Sequence, residues 1–363
     1  MFDNPNGSQE ISVAHIRALR ASVCRRAAIL VLGVHRSGTS SLAHLLNLLG
    51  AKLPEQLVGP GYGNPLGHWE PRKLMEIDDE ILNAIDRSWH DPRPIPPSWF
   101  RSKEAYAFHE RIRAAIVSDY DDAPLILVKE PRICRLAPLY LDVLDALGIE
   151  PLIVLCVRHP AEVVQSIHER DGIDPRTIEL LWLRHLVESE EASRECVRVW
   201  TSFENLLGSW EATVESIALG LGIAWPNGLD KVAGEAANIL RLRHRHYRVR
   251  DDSIPVPLGP LTIRAWRAAQ HGLNGDDAAT HALFDEIRTT IMELDRLSAS
   301  HQERLERRLA NLEAELSERA NEGGRLRQEI DSMRASVCWR VTWPIRWFHK
   351  QVNRARATLS KAL

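Results

Sequence analysis

Gly33 and Gly38 stand five residues apart between an apolar run, AAILVL, and a helical pattern that opens with Thr39 and Ser40. A strand, a Gly-bounded loop and a helix start make an anion site, because the first amides of a helix lack intrahelical partners and the helix dipole favours negative charge. The nucleotide-binding form of such a loop, GxxxxGK followed by Ser or Thr, carries a Lys that reaches the outer phosphates. Here Thr39 stands where that Lys would be, and the loop's cation is Arg36, ahead of Ser37 and Gly38. Two further cations close apolar runs: Lys129 ends LILVK and Arg158 follows LIVLCV. A kinase or ATPase would need an acidic residue at such a strand end to hold magnesium. The one candidate, Glu130, is flanked by Lys129 and Arg132, so protein cations rather than a metal are expected to neutralise the ligand.

These groups need a frame to hold them. Strands are predicted at 28–32, 125–129, 152–157 and near 197–201, each followed by a turn and a helical pattern. The alternation argues for an α/β fold with a central, mostly parallel sheet flanked by helices. Loops then gather at the carboxyl edge of the strands, where open α/β sheets bind ligands. Between the first two strands the chain is rich in Gly and Pro up to Glu70 and helical afterwards. A long loop on the ligand edge is more often functional than idle. One helix is expected over 204–221, and the basic run NILRLRHRHYRVRDD reads either as a solvated helix end or as a contact for a polyanion.

At this point a family resemblance enters. HRSGTSSL resembles the 5′-phosphosulfate loop of the sulfotransferases, in which Lys or Arg precedes Ser-Gly-Thr and a further hydroxyl residue. VLCVRHPAEVVQSIHER resembles their 3′-phosphate motif, an Arg at a strand end and a Ser eight residues on, here Arg158 and Ser166. LILVKEPRICRLAPLYLDVL is similar to a Lys-acid-Pro-Arg segment of bacterial carbohydrate-type members, and VWTSFENLLGSWEATVESIALGLGI to their Tyr-Glu-Asp-Leu-like helix, with Phe203 in the aromatic position. The resemblance covers residues 27–226 and implies a P-loop-type sulfotransferase fold.

It also implies 3′-phosphoadenosine 5′-phosphosulfate as co-substrate, with no metal required. Arg36 and the backbone and hydroxyls of Ser37, Gly38, Thr39 and Ser40 would hold the 5′-phosphate, where charge gathers as sulfate departs. Arg158 and Ser166 would clamp the 3′-phosphate, which distinguishes this donor from ATP. The acceptor must lose a proton to a base. Glu70, in NPLGHWEPR, is the first candidate, His68 the second, and another residue such as Glu130 the third. Glu70 could instead be a helix N-terminal carboxylate. Lys129 would stabilise the transferring group or bind an acidic sugar, or else pair with Glu130 or Glu70, and Arg132 shares its strand end. Trp69 reads as a sugar-stacking ring or as core, and His159 as part of the turn before Pro160. The other readings are a P-loop kinase or nucleotide hydrolase, and a nucleotide-binding scaffold. A scaffold would be marked by loss of Arg36, Arg158 or Ser166, and all three are present.

Composition bounds the remainder. At 363 residues, with 44% apolar and 26% charged residues and a formal net charge of -3, the chain reads as globular, and bulk charge singles out no partner and no nucleic acid. Five cysteines, Cys24, Cys134, Cys156, Cys196 and Cys338, show no ligand spacing and are expected reduced and mostly buried. The N-terminus has no apolar run behind a basic start, so the catalytic part is expected to face the cytoplasm.

From about residue 282, Leu and Ile recur at 287, 291 and 294, then 305, 309, 312 and 316, then 326, 330 and 333, with an expected break at Gly323-Gly324. This reads as a coiled coil or helical hairpin, a stalk that makes a homodimer. The expected parts are a helical lead (1–26), a sulfotransferase domain (27–280), a coiled coil (281–333) and a basic Trp-rich tail (334–363). From Arg334 to Lys361 the tail holds seven Lys or Arg and no acidic residue, with Trp339, Trp343 and Trp347 four apart and Pro344 expected to kink the helix. Such a tail suits the headgroup layer of an anionic membrane at the inner face of the cell, or packs on the catalytic domain or a partner helix. SVCWRVTWPIRW resembles endings found on enzymes of bacterial surface-polysaccharide assembly, which makes a glycan or glycolipid hydroxyl the expected acceptor.

Overall fold

The computed structural model describes residues 26–61, 64, 67–242, 257–275 and 277–359. The expected helical lead before Arg26, Cys24, and the basic run beyond residue 242 lie outside the described residues. The chain divides into two compact units, 1–291 and 292–363.

The first unit runs β1 (Ala27–Leu32), α1 (Thr39–Leu48), α2 (Arg72–Ala84), α3 (Lys103–Tyr120), β2 (Leu125–Lys129), α4 (Ile133–Ala146), β3 (Glu150–Val157), α5 (Pro160–Asp171), α6 (Pro175–Ala192), β4 (Val197–Ser202), α7 (Phe203–Gly208), α8 (Trp210–Leu221), α9 (Leu229–Leu242) and α10 (Pro260–Leu273). The four strands form one parallel sheet in the order β2-β1-β3-β4. All four carboxyl ends therefore lie on one edge. The chain leaves β1 for β2 on one side and later returns to β3 on the other, so the order reverses at β1. Open α/β sheets form their ligand crevice at such a reversal.

Alternation along β1 shows why the apolar runs become strands. Ala28, Leu30 and Leu32 enter one core with residues of α2 to α6 and α10, whereas Ile29 and Val31 enter a second core with α1, α7, α8 and α9. A strand buried on both faces reads as a continuous apolar run. Each fully buried Leu or Ile contributes about 1.5–3 kcal/mol. Cys134 and Cys156 are small residues of these cores, and burial pushes both thiols up to about 12, so they stay neutral.

The structure differs from the sequence reading in three respects. The helix expected over 204–221 is two: Ser202 caps α7 by accepting from the Asn205 amide, and Ser209 is extended before α8 begins. Helices α3, α6 and α10, which the sequence reading did not place, cover much of the first core. The third is α11 (Asp277–Ala335), a continuous helix of 59 residues. It passes through Gly323-Gly324 without a break, because about 1 kcal/mol per glycine is a small charge against so many helical turns. Its first turns belong to the core, with Phe284, Ile287 and Ile291 buried and Phe284 stacked on Trp200 at 5.9 Å.

In the second unit, Leu305, Leu309, Leu312, Leu316, Leu326, Ile330 and Met333 are exposed along α11. Ser336 ends that helix and caps α12 (Val337–Val341), and α13 (Trp343–Leu359) begins after Thr342 with Pro344 in its first turn. The break falls where Pro344 was expected to put it, so Trp339 lies on a different helix from Trp343 and Trp347.

Candidate functional site

Construction starts at the loop after β1. Gly38 adopts φ 87° just before α1, and a Cβ there would lie 2.3 Å from the Phe203 ring, so only glycine fits both the turn and the contact. Gly33 is equally constrained, since a Cβ would meet the Cys156 carbonyl at 2.4 Å. Its amide donates to Cys134 Sγ (3.0 Å). Ser41 and Leu42 donate to the Gly38 carbonyl. No backbone bond closes on the amides of Gly38, Thr39 and Ser40 among the described residues, and no side chain caps α1. Three such donors at a helix start form a cradle for an anion. The Ser37 hydroxyl is buried without a partner and borders a cavity of about 20 Å³ shared with Trp182, His185 and Ser189. Ser37 is therefore not part of the cradle: its amide donates to the Val34 carbonyl (3.2 Å) and its side chain is turned toward the interior, unlike the expected phosphate contact.

On the β3 side the two motifs meet. Arg36, itself at φ 70°, donates from Nε to Ser166 Oγ at 2.8 Å. Arg158 Nη1 donates to the Arg36 carbonyl at 3.0 Å, and Arg158 Nε is bound to Glu162 Oε2 at 2.9 Å. Its guanidinium lies 4.9 Å from the centre of the Phe203 ring, the same ring that packs on Gly38. Phe203 is thus a platform for loop and cation together. Glu162 was missed in the sequence, although its position four residues after Arg158 on a helix start was a legible ion-pair signal.

On the β2 side Lys129 is the hub. Its ammonium, 2% exposed, donates to Ser40 Oγ (3.2 Å), the His68 carbonyl (3.1 Å) and Glu70 Oε1 (2.5 Å). It brings a cation to the start of α1 from the neighbouring strand, the end of the helix that Thr39 leaves uncharged. Glu70 is 5% exposed, and its main chain pairs with Val58 ahead of α2. The Asn64 amide donates to Ser40 Oγ at 3.4 Å, a loop contact that sequence reading missed. His68 is half-buried, and burial chiefly, with Lys129, Arg170 and Arg36 adding, lowers its pKa against the opposing pull of Glu70. It is a neutral imidazole at neutral pH.

Other candidates fall away from this edge. Arg132 turns to Glu130, with a bond also to Asp79 (2.7 Å), so it supports the fold below the site. Glu130 is fully buried with Arg132 and Asp78, which leaves it no open face for an acceptor and removes it as a base. Burial and the nearby Glu130 push the Asp78 carboxyl well above its usual range. Tyr140 donates to it at 2.9 Å. Trp69 stacks on His44 (3.6 Å), which covers one face of the ring, and His159 caps α5 by accepting from the Ala161 amide. His35, unassigned by sequence, is a half-buried ring against Trp89 (4.6 Å) with its Nε2 shut off from solvent, its pKa driven well down by burial first and then by Arg132.

No family model matches the chain, and no curated protein matches it. Among solved structures it is similar to the sulfotransferase domain from the curacin biosynthetic pathway, with 17% identity and a TM-score of 0.39 over 68% of this chain and 98% of that one. The sulfotransferase domain from the Synechococcus PCC 7002 olefin synthase gives 17% and 0.39 over 67% and 94%. A sulfotransferase from Alicyclobacillus acidocaldarius gives 15% and 0.28 over 72% and 96%. Likeness at this level decides nothing about activity, which the site residues have to carry.

Proposed function

We propose that the chain transfers a sulfuryl group from 3′-phosphoadenosine 5′-phosphosulfate to a hydroxyl of a carbohydrate acceptor, a surface polysaccharide or glycolipid. The observation that carries the reading is the junction of Arg36 with Ser166 (2.8 Å) and of Arg158 with the Arg36 carbonyl (3.0 Å). It puts both anion-binding motifs at adjacent parallel strand tips, as one bis-phosphorylated nucleotide requires.

The donor supplies the sulfuryl group; the chain's residues do the rest. The amides of 38–40 and the Arg36 guanidinium take the 5′-phosphate, and Arg36 answers the charge that develops on the bridging oxygen. Arg158, its charge fixed in place by Glu162, holds the 3′-phosphate with Ser166. Glu70 accepts the acceptor's proton, with His68, already neutral, as the second candidate. Lys129 holds Glu70 in position and offers its cation to the transferring group. The exposed stripe of α11 is the surface by which a second copy would pair.

The test is transfer of labelled sulfate from this donor to a panel of extracted bacterial glycans, with Arg36→Ala and Glu70→Gln beside the wild type. Wild-type labelling lost in Arg36→Ala supports the reading. Turnover retained in Glu70→Gln removes Glu70 as base, and failure of the wild type to bind donor overturns the assignment.

A further inference from the structure

The second unit carries two surfaces of different chemistry. Along residues 292–331 the helix has ten acidic and seven basic residues, interspersed around a stripe of Leu and Ile. Residues 332–363 have seven basic residues and no acidic one. Mixed charge beside an apolar seam suits a second helix, because ion pairs can form across the seam. An all-cationic segment opposes its own copy by like-charge repulsion, so the same occupant does not suit the tail.

The apolar surface changes as well. At 100° per residue, Trp343, Trp347, Phe348, Val352 and Ile345 follow one another around an arc of about 200° on α13. Ile345 is 70% exposed, Phe348 67%, Trp343 60% and Trp347 52%. Lys350 and Arg354 sit at the tryptophan edge of this arc, where their stems can lie along apolar surface with the charges at its border. His349, Asn353 and Arg346 occupy the other side of the helix. Arg346 ties the helix pair together, since its guanidinium stacks over Trp339 at 3.9 Å and donates to the Trp339 carbonyl and Thr342 Oγ1. Among the described residues no helix is long and apolar enough to cross a bilayer. A broad apolar arc, tryptophans at its edge, cations beside them and no carboxylate are the makings of a helix that lies in the headgroup layer.

We infer that α12 and α13 form a docking surface for anionic lipid, with α13 lying in the plane of the membrane and its Trp-Phe-Val arc toward the acyl chains. The lipid headgroups supply the anions that this part of the chain lacks. The inference is independent of the sulfuryl-transfer reading and survives or fails without it.

The test is co-sedimentation of the full chain with vesicles of phosphatidylcholine containing about 30 mol % phosphatidylglycerol, and with pure phosphatidylcholine, at about 0.1 and 0.5 M salt. The expected result is partition onto the anionic vesicles, weaker at high salt, with a blue shift of tryptophan emission. Each cation removed should lower partition about fivefold, so Lys350→Glu with Arg354→Glu should lower it at least 25-fold. Trp343→Ser with Trp347→Ser should lower it at both salt concentrations. These side chains are exposed, so an unchanged thermal midpoint will show that the variants remain folded. No binding to anionic vesicles, equal binding to neutral ones, or binding that ignores both double variants would overturn the inference. So would tail-dependent self-association that persists while vesicles go unbound.

Discussion

The strands on either side of β1 both end in a buried cation, and the two cations are held in different ways. Arg158 takes its carboxylate from the next turn of its own chain, Glu162 four residues on. Lys129 takes Glu70 from 59 residues away, across the loop that precedes α2. The local pair moves as one body with α5 and suits a fixed clamp for a phosphate. The distant pair joins two elements, and a shift of the loop that carries His68 and Glu70 would open it. In the proposed function, binding falls to the β3 side and proton transfer to the β2 side, with Arg36 and the start of α1 between them.

Four changes would break or sharpen that division. The largest effect is expected on the β2 side, where Glu70→Gln should lower turnover about 100- to 10,000-fold, the range for loss of a positioned base. Binding of 3′-phosphoadenosine 5′-phosphate by the same variant, measured by calorimetry, should stay near wild type. Arg36→Ala, between the two sides, should cost about 100- to 1,000-fold in turnover, as removal of a donor to developing charge does, and should weaken nucleotide binding too. Arg158→Met removes the ion-pair partner of the buried Glu162, so beyond losing the clamp it should lower unfolding free energy by up to about 3–5 kcal/mol in a urea titration. Ser166→Ala removes one hydroxyl and should weaken nucleotide binding only about tenfold, with turnover at saturation little changed. Equal loss of binding in Glu70→Gln and Ser166→Ala would erase the distinction between the two sides.

A smaller effect concerns the frame behind the clamp. His185 accepts no charge in the fold, because burial, with Arg135 adding, pushes its pKa down to about 3. The ordinary value for His is about 6.5, so between these values the unfolded chain binds the extra proton. Its share of stability is complete above pH 6.5 and is lost as pH falls toward 3. His185→Leu should therefore lose less stability than wild type between pH 6.5 and 5.5, by about 1 kcal/mol, in paired denaturant titrations.

Legibility in the sequence followed the range of the interaction. Strands buried on both faces read as apolar runs, and LILVK became β2 with Lys129 at its tip. Loop chemistry was readable too, because Gly33, Arg36 and Gly38 lie within six residues. The pairing of Arg36 with Ser166 spans 130 residues, so residue types could nominate these groups without joining them, whereas that of Lys129 with Glu70, 59 residues apart, stood in the sequence as one of two ion-pair alternatives. Arg132 and Glu130 looked equivalent to Lys129 on the page, yet the turn into α4 carries them into the core. Helix α3 was overlooked although Ser102 caps it, since few of its residues are buried and its periodicity is weak. Gly323 and Gly324 misled in the opposite sense, as a local signal outweighed by the long helix around it.

The measurement that bears most directly on the central claim is calorimetric titration of the full chain with 3′-phosphoadenosine 5′-phosphate in the presence of a chelator, beside adenosine 5′-phosphate lacking the 3′ group. One clamp at two strand tips requires metal-independent binding of the bis-phosphate that weakens sharply when the 3′-phosphate is absent or Arg158 is replaced. Equal affinity for the two nucleotides, or binding only of ATP with magnesium, would contradict it.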